Sequence, residues 1–69
     1  MFYTVVEIQK LENGSKAAIT TIYDDYNDAL GKFFNVCAVA VAGDLPYHAC
    51  IVINSNGQIT DERIFSREN

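Results

Sequence analysis

Residues 45–53 read LPYHACIVI and place the one histidine, His48, two positions before Cys50, one of two cysteines. In an extended segment that spacing puts both side chains on one face, so imidazole and thiol could touch. As a zinc site the pair supplies half of a closed tetrahedral set, and a symmetric dimer would have to supply the rest. As a nucleophile and base it needs a third group to orient the histidine and a hole for the oxyanion. Neither shows in the sequence. The favoured reading is structural, with His48 at a sheet margin or subunit contact and its second nitrogen bonded to a backbone group or carboxylate. No catalytic residue, metal ligand or cofactor is assigned, and the chain is read as a non-enzyme.

A second constellation lies near the end. Arg63, Phe65 and Arg67 alternate, so in a strand they share a face. An arginine beside an aromatic ring can hold a phosphate and stack a base. Tyr3, Tyr47 and His48 add stacking and hydrogen-bonding groups. The candidate ligand set is therefore Tyr3, Tyr47, His48, Arg63 and Arg67, suited to a small anionic, nucleotide-like molecule. The plainer reading is a solvated outer strand, with Asp61 and Glu62 offsetting the charge. A third cluster, YDDYND at 23–28, suggests helix capping rather than metal. Asp24 or Asp25 can accept from free N–H groups at a helix start, and Asp28 suits the first-turn dipole. A calcium loop would need a glycine and a closing glutamate that are absent.

These residues must be positioned by one domain, residues 1–69. At 69 residues a chain folding alone hides only about 60% of its unfolded surface, so a partner subunit is a natural supplement. Cys37 and Cys50 both lie in apolar runs and read as buried, reduced thiols. The formal charge is −4, with five basic residues spread along the chain, which argues against a duplex nucleic-acid binder. The N-terminus lacks a secretory n-region, and the longest apolar run, residues 36–42, is far short of a membrane span. A cytoplasmic protein with no membrane partner is expected.

FYTVVEIQKL at 2–11 reads as a strand. Asn13-Gly14 supplies the positive φ angles of a tight hairpin turn, leading into a second strand at 16–23. A helix is predicted over 26–42, with Tyr26, Leu30, Phe33, Phe34, Cys37 and Val41 as its apolar stripe. Gly31 hints at close packing there, and Gly43 with Pro46 beyond ends the helix. The alternation of Val and Ala over 36–42 also allows a strand, but Asp28, Ala29, Ala38 and Gly43 favour the helix. A third strand at 47–54, a turn at Asn54-Ser55-Asn56-Gly57 and a fourth strand at 58–66 complete the chain. The fold class is α+β: ββαββ, a four-stranded antiparallel sheet of two hairpins with one helix across one face. Two strand orders keep all neighbours antiparallel, 2-1-3-4 and 1-2-4-3. The first is preferred because strands one and three are the most apolar.

Two features point to self-association. VCAVAVA, residues 36–42, has no polar side, and a helix apolar all round is buried all round. Neither face of strands one or three is wholly polar, although one helix covers only one side. Exposed apolar surface of that kind marks interfaces. Val36, Ala38, Val39 and Ala42, together with Val5 on the sheet, are the expected contacts between copies in a homodimer or larger oligomer.

FYTVVEIQ at 2–9, NDALGKFF at 27–34 and PYHACIVINSNGQI at 46–59 resemble a group of small ββαββ proteins encoded by bacteriophages and prophages of gut bacteria. The resemblance covers most of the chain, including a helix start near Asn27 and a histidine at the position of His48. Phe33-Phe34 and Cys50 depart from the group's pattern. The resemblance implies a phage-encoded inhibitor of host defence, working in the host cytoplasm by sequestering a nucleotide-like signal or blocking a host defence protein. A virion-accessory assembly protein is the runner-up, and a small enzyme using His48 and Cys50 the third reading.

Overall fold

The computed structural model describes residues 1–68. Its elements are β1 (Tyr3–Lys10), β2 (Lys16–Tyr23), α1 (Tyr26–Ala42), β3 (Tyr47–Asn54) and β4 (Ile59–Ser66). They form one open antiparallel sheet in the order β2-β1-β3-β4, the preferred α+β arrangement. β1 and β3 take the centre, and the buried apolar strand residues, Val5, Ala49, Cys50 and Val52, all lie in them.

Both hairpins close in the same way. Leu11 N bonds to Ser15 O, Gly14 N to Leu11 O, Asn54 N to Gln58 O, and Gly57 N to Asn54 O. Gly14 and Gly57 have φ of 87° and 81°, and among the described residues no other residue type has positive φ. These are three-residue loops ending in a left-handed glycine; of the Asn13-Gly14 pair expected to supply positive φ, Gly14 alone does. Asn13 and Asn54 brace them: Asn13 Oδ1 accepts from Ser15 N, and Asn54 Oδ1 accepts from Asn56 N and Gln58 N.

The register sorts the faces. Val5 lies opposite Val52, and Glu7 opposite Cys50; these side chains face α1. Ile8 opposite Ala49 and Val6 opposite Ile51 lie on the open face. A bulge between Val52 and Ile53 brings Ile59, rather than Thr60, opposite Ile53. It thereby turns Ile59 onto the open face.

The core between α1 and the sheet is Val5, Ala29, Phe33, Val36, Cys50 and Val52, with Tyr3, Tyr23, Leu30 and Cys37 packed around it. The helix buries Ala29, Phe33, Val36 and Ala40, a stripe rotated from the expected one. Phe34 and Val41, expected inside, are exposed. Small Ala29 and Ala40 let the backbone approach the sheet, and Phe33 fills the space between them. Val5 and Val36, expected between copies, belong to this chain's own core. Gly31 faces open space, so no close packing explains it.

The helix ends differ from expectation as well. Asp25 is the N-cap residue but makes no side-chain capping bond, which leaves Asp28 to complement the dipole. At Gly43 a Cβ would come within 3.1 Å of Val39 O, so glycine answers a close approach there. The last turn of α1 has no basic residue. The charge comes from the end of β4, where Arg67 donates to Ala40 O at 3.0 Å, Leu45 O at 3.2 Å and Val41 O at 3.3 Å. Arg67→Ala is expected to cost about 1–2 kcal/mol, the range for bonds from a charged donor at a helix end. Thermal melts would show the loss, and amide exchange would quicken selectively around residues 40–45.

Candidate functional site

Two places carry polar chemistry against apolar walls. The first is buried under α1. His48 Nε2 lies 2.6 Å from Glu7 Oε2, and Gln9 Nε2 donates to the same oxygen at 2.9 Å. An ionised carboxylate only accepts, so Nε2 carries the proton. His48 is 2% exposed. Burial pushes the Glu7 carboxyl upward, but the bonds from His48 and Gln9 and the charges of His48 and Lys32 outweigh it. The net position is below the ordinary carboxylate value.

Glu7 was absent from the sequence-based candidates, although a charge on the strand face shared by Tyr3 and Val5 was a visible anomaly. It supplies the orienting carboxylate that a nucleophile–base reading of His48 and Cys50 lacked. Cys50 does not complete such a set. It is 1% exposed, and burial, with Cys37 and Glu7 adding to it, pushes its thiol up to about 11. Nucleophilic thiols are shifted the other way. Both cysteines are free.

The second place is an open groove of about 520 Å³ between α1 and β4. Phe33, Phe34, Cys37, Ala38 and Val41 form its helix wall, and Asp61, Glu62, Arg63 and Phe65 its strand wall. Phe33 and Phe34 meet edge-on, 5.6 Å between centroids at 67°. The Arg63 guanidinium lies 5.2 Å from the Phe65 ring centre, a cation–π distance. Among the described residues no carboxylate pairs with it. Asp61, expected to offset it, lines the same groove, where its Oδ2 accepts from Tyr26 Oη at 2.7 Å and Thr60 Oγ1 at 2.9 Å. That bond raises the Tyr26 phenol's pKa. Glu62 lies opposite Ile51 in the sheet register and also borders the groove along β4.

The five expected ligand residues do not converge. Tyr3 lies 5.2 Å, ring centre to ring centre, from Tyr26 near the start of α1, the two rings tilted by 46°. Tyr47 pairs with Lys10 and Ser66 across the strands, on the open face. His48 is beneath the helix, and Arg67 holds the helix end. Arg63 alone of the five lines the groove. Phe34 and Val41, which the helical periodicity assigned to the core, are its other wall.

No helix among the described residues is long and apolar enough to cross a membrane. Compared with protein-family models, curated proteins and solved structures, the chain has no match in any of the three.

Proposed function

We propose that this chain is a non-catalytic binding protein, working as an assembly of its own copies, that takes a small anionic, ring-bearing ligand in the α1–β4 groove. The observation that carries the reading is the exposed Arg63 guanidinium set against Phe65 and facing an aromatic and aliphatic helix wall. A guanidinium gives bidentate bonds to phosphate, and aromatic walls stack bases without regard to sequence. Burial raises the thiol of Cys37, the cysteine on the groove wall, away from an activated nucleophile, which supports binding over turnover. Self-assembly is supported by apolar side chains left outside, including Val39 at 63% and Ile22 at 66% exposure. The resemblance to phage proteins supplies the setting: sequestration of a nucleotide-like signal in the host cytoplasm, as an inhibitor of host defence.

Native mass spectrometry of freshly purified protein, compared with the denatured mass, tests both parts. Extra non-covalent mass gives the ligand class. With a panel of nucleoside monophosphates and dinucleotides as probes, Arg63→Ala is expected to weaken binding at least about tenfold, the loss of one charge-assisted pair. No added mass and no thermal shift across the panel, or equal binding by Arg63→Ala, would overturn the ligand assignment.

A further inference from the structure

The uncovered face of the sheet has a pattern that specifies its own partner. Reading across β2, β1, β3 and β4, one row runs Ala18, Ile8, Ala49, Ile64. Small and large alternate. The next row runs Thr20, Val6, Ile51, Glu62. At one end of the face, Lys16 and Lys10 stand side by side, followed by Tyr47 and Ser66. At the other end the row is almost entirely apolar, from Ile22 to Ile59.

We propose that this face packs against the same face of a second copy, about a two-fold axis parallel to the strands. This deepens the self-assembly part of the reading above and rests on it. Such an axis reverses each row and lays it on itself. Every alanine of the first row then faces a partner isoleucine, and every isoleucine an alanine. Thr20 faces Glu62 of the partner subunit, and Val6 faces Ile51 of the partner subunit. The lysines meet tyrosine and serine, not each other. An axis perpendicular to the strands, within the interface plane, lays the lysine row on the isoleucine row; Lys10 keeps its ion pair with Glu68, but Lys16 is set against Ile22 of the partner subunit with no partner for its charge, which is unfavourable.

Size and apolarity fit the same occupant. Eight-residue strands, rising about 3.3 Å per residue and spaced about 4.8 Å, make a four-stranded face roughly 19 by 26 Å. Side-chain relief raises its accessible area toward the roughly 800 Å² per partner of a standard stable interface. Ile22, Ile59 and Ile64 are each at least half exposed, and one end apart, Glu62 is the one charge on the face. Two such faces about 10 Å apart and some 30° askew make an aligned β-sandwich, with both α1–β4 grooves outward and accessible.

The test is a charge swap at surface positions on opposite edges of the sheet. Dimer affinity would be measured by sedimentation on wild type, Thr20→Glu, Glu62→Lys and the double variant, with circular dichroism confirming that each folds. Thr20→Glu sets like charges together and is expected to weaken the dimer at least about tenfold. The double variant should recover most of that loss. If Thr20→Glu dimerises like wild type, or the double variant is no better than Thr20→Glu, this packing is overturned. If Val39→Asp dissociates the assembly while Thr20→Glu leaves it intact, the sheet face is wrong and self-assembly through the helix stands. A wild type that stays monomeric to about 100 μM, some hundredfold above a micromolar interface, overturns self-assembly together with this packing. The groove's ligand titration is read independently on wild type and Thr20→Glu, because Glu62 also borders the groove.

Discussion

Phe33→Ala is expected to leave the protein barely folded at 37 °C. Phe33 is the largest side chain in the buried core cluster, which it shares with Val5 of β1 and Cys50 and Val52 of β3. Truncating a buried phenylalanine costs about 3–5 kcal/mol through lost burial and the cavity left behind. A domain of this length holds only about 3–10 kcal/mol in total. Urea titration followed by circular dichroism would show the midpoint collapse. Phe34→Ala is the matched control. Phe34 is 61% exposed, and its removal should cost less than about 1 kcal/mol. Equal losses at the two positions would mean that the helix is not rotated as described.

Breaking the buried Glu7–His48 pair has the next largest effect. Glu7→Ala leaves a buried imidazole N–H without its acceptor, and removing one partner of such a pair typically costs about 3–5 kcal/mol. For a domain of this size, 3 kcal/mol is a fall in Tm of roughly 15 °C. Replacing both residues by apolar ones, Glu7→Leu with His48→Phe, should cost well below the sum of the single changes, because no polar group is then stranded. The pair also sets an acid limit. Glu7 is held below the ordinary carboxylate value when folded, so the folded state resists protonation more than the unfolded chain does. Its contribution is complete above the unfolded value of about 4.3 and declines as pH falls through the lower, folded value. Stability measured from pH 6 down to pH 2 should therefore drop in wild type with a steeper slope than in Glu7→Leu/His48→Phe. Parallel slopes would remove Glu7 as the source.

Local signals carried most of the architecture. The bounds of β2, α1 and β3 follow from alternation, from the 3.6-residue period and from glycines at the turns, all of which act over a few residues. The strand order is the preferred one of the two that keep all neighbours antiparallel, although edge strand β2 has no fewer apolar residues than central β1. The helix rotation was not legible. Period alone admitted a stripe through Phe34 and Val41, and the sheet's relief selected one through Ala29, Phe33, Val36 and Ala40 instead. Of the candidate ligand residues, Arg63 was found through its alternation with Phe65. Tyr3, Tyr47, His48 and Arg67 were drawn apart by faces and partners that alternation within one strand cannot reveal.

The sequence by itself determined ββαββ, its turns and the surplus of apolar surface, since each depends on neighbours in the chain. Tertiary structure alone joined Glu7 to His48 across 41 positions, sent Arg67 to the helix end and opened the groove beside Arg63. Those outcomes depend on register and on which side chains fill a shared space, and no short stretch of sequence contains both partners.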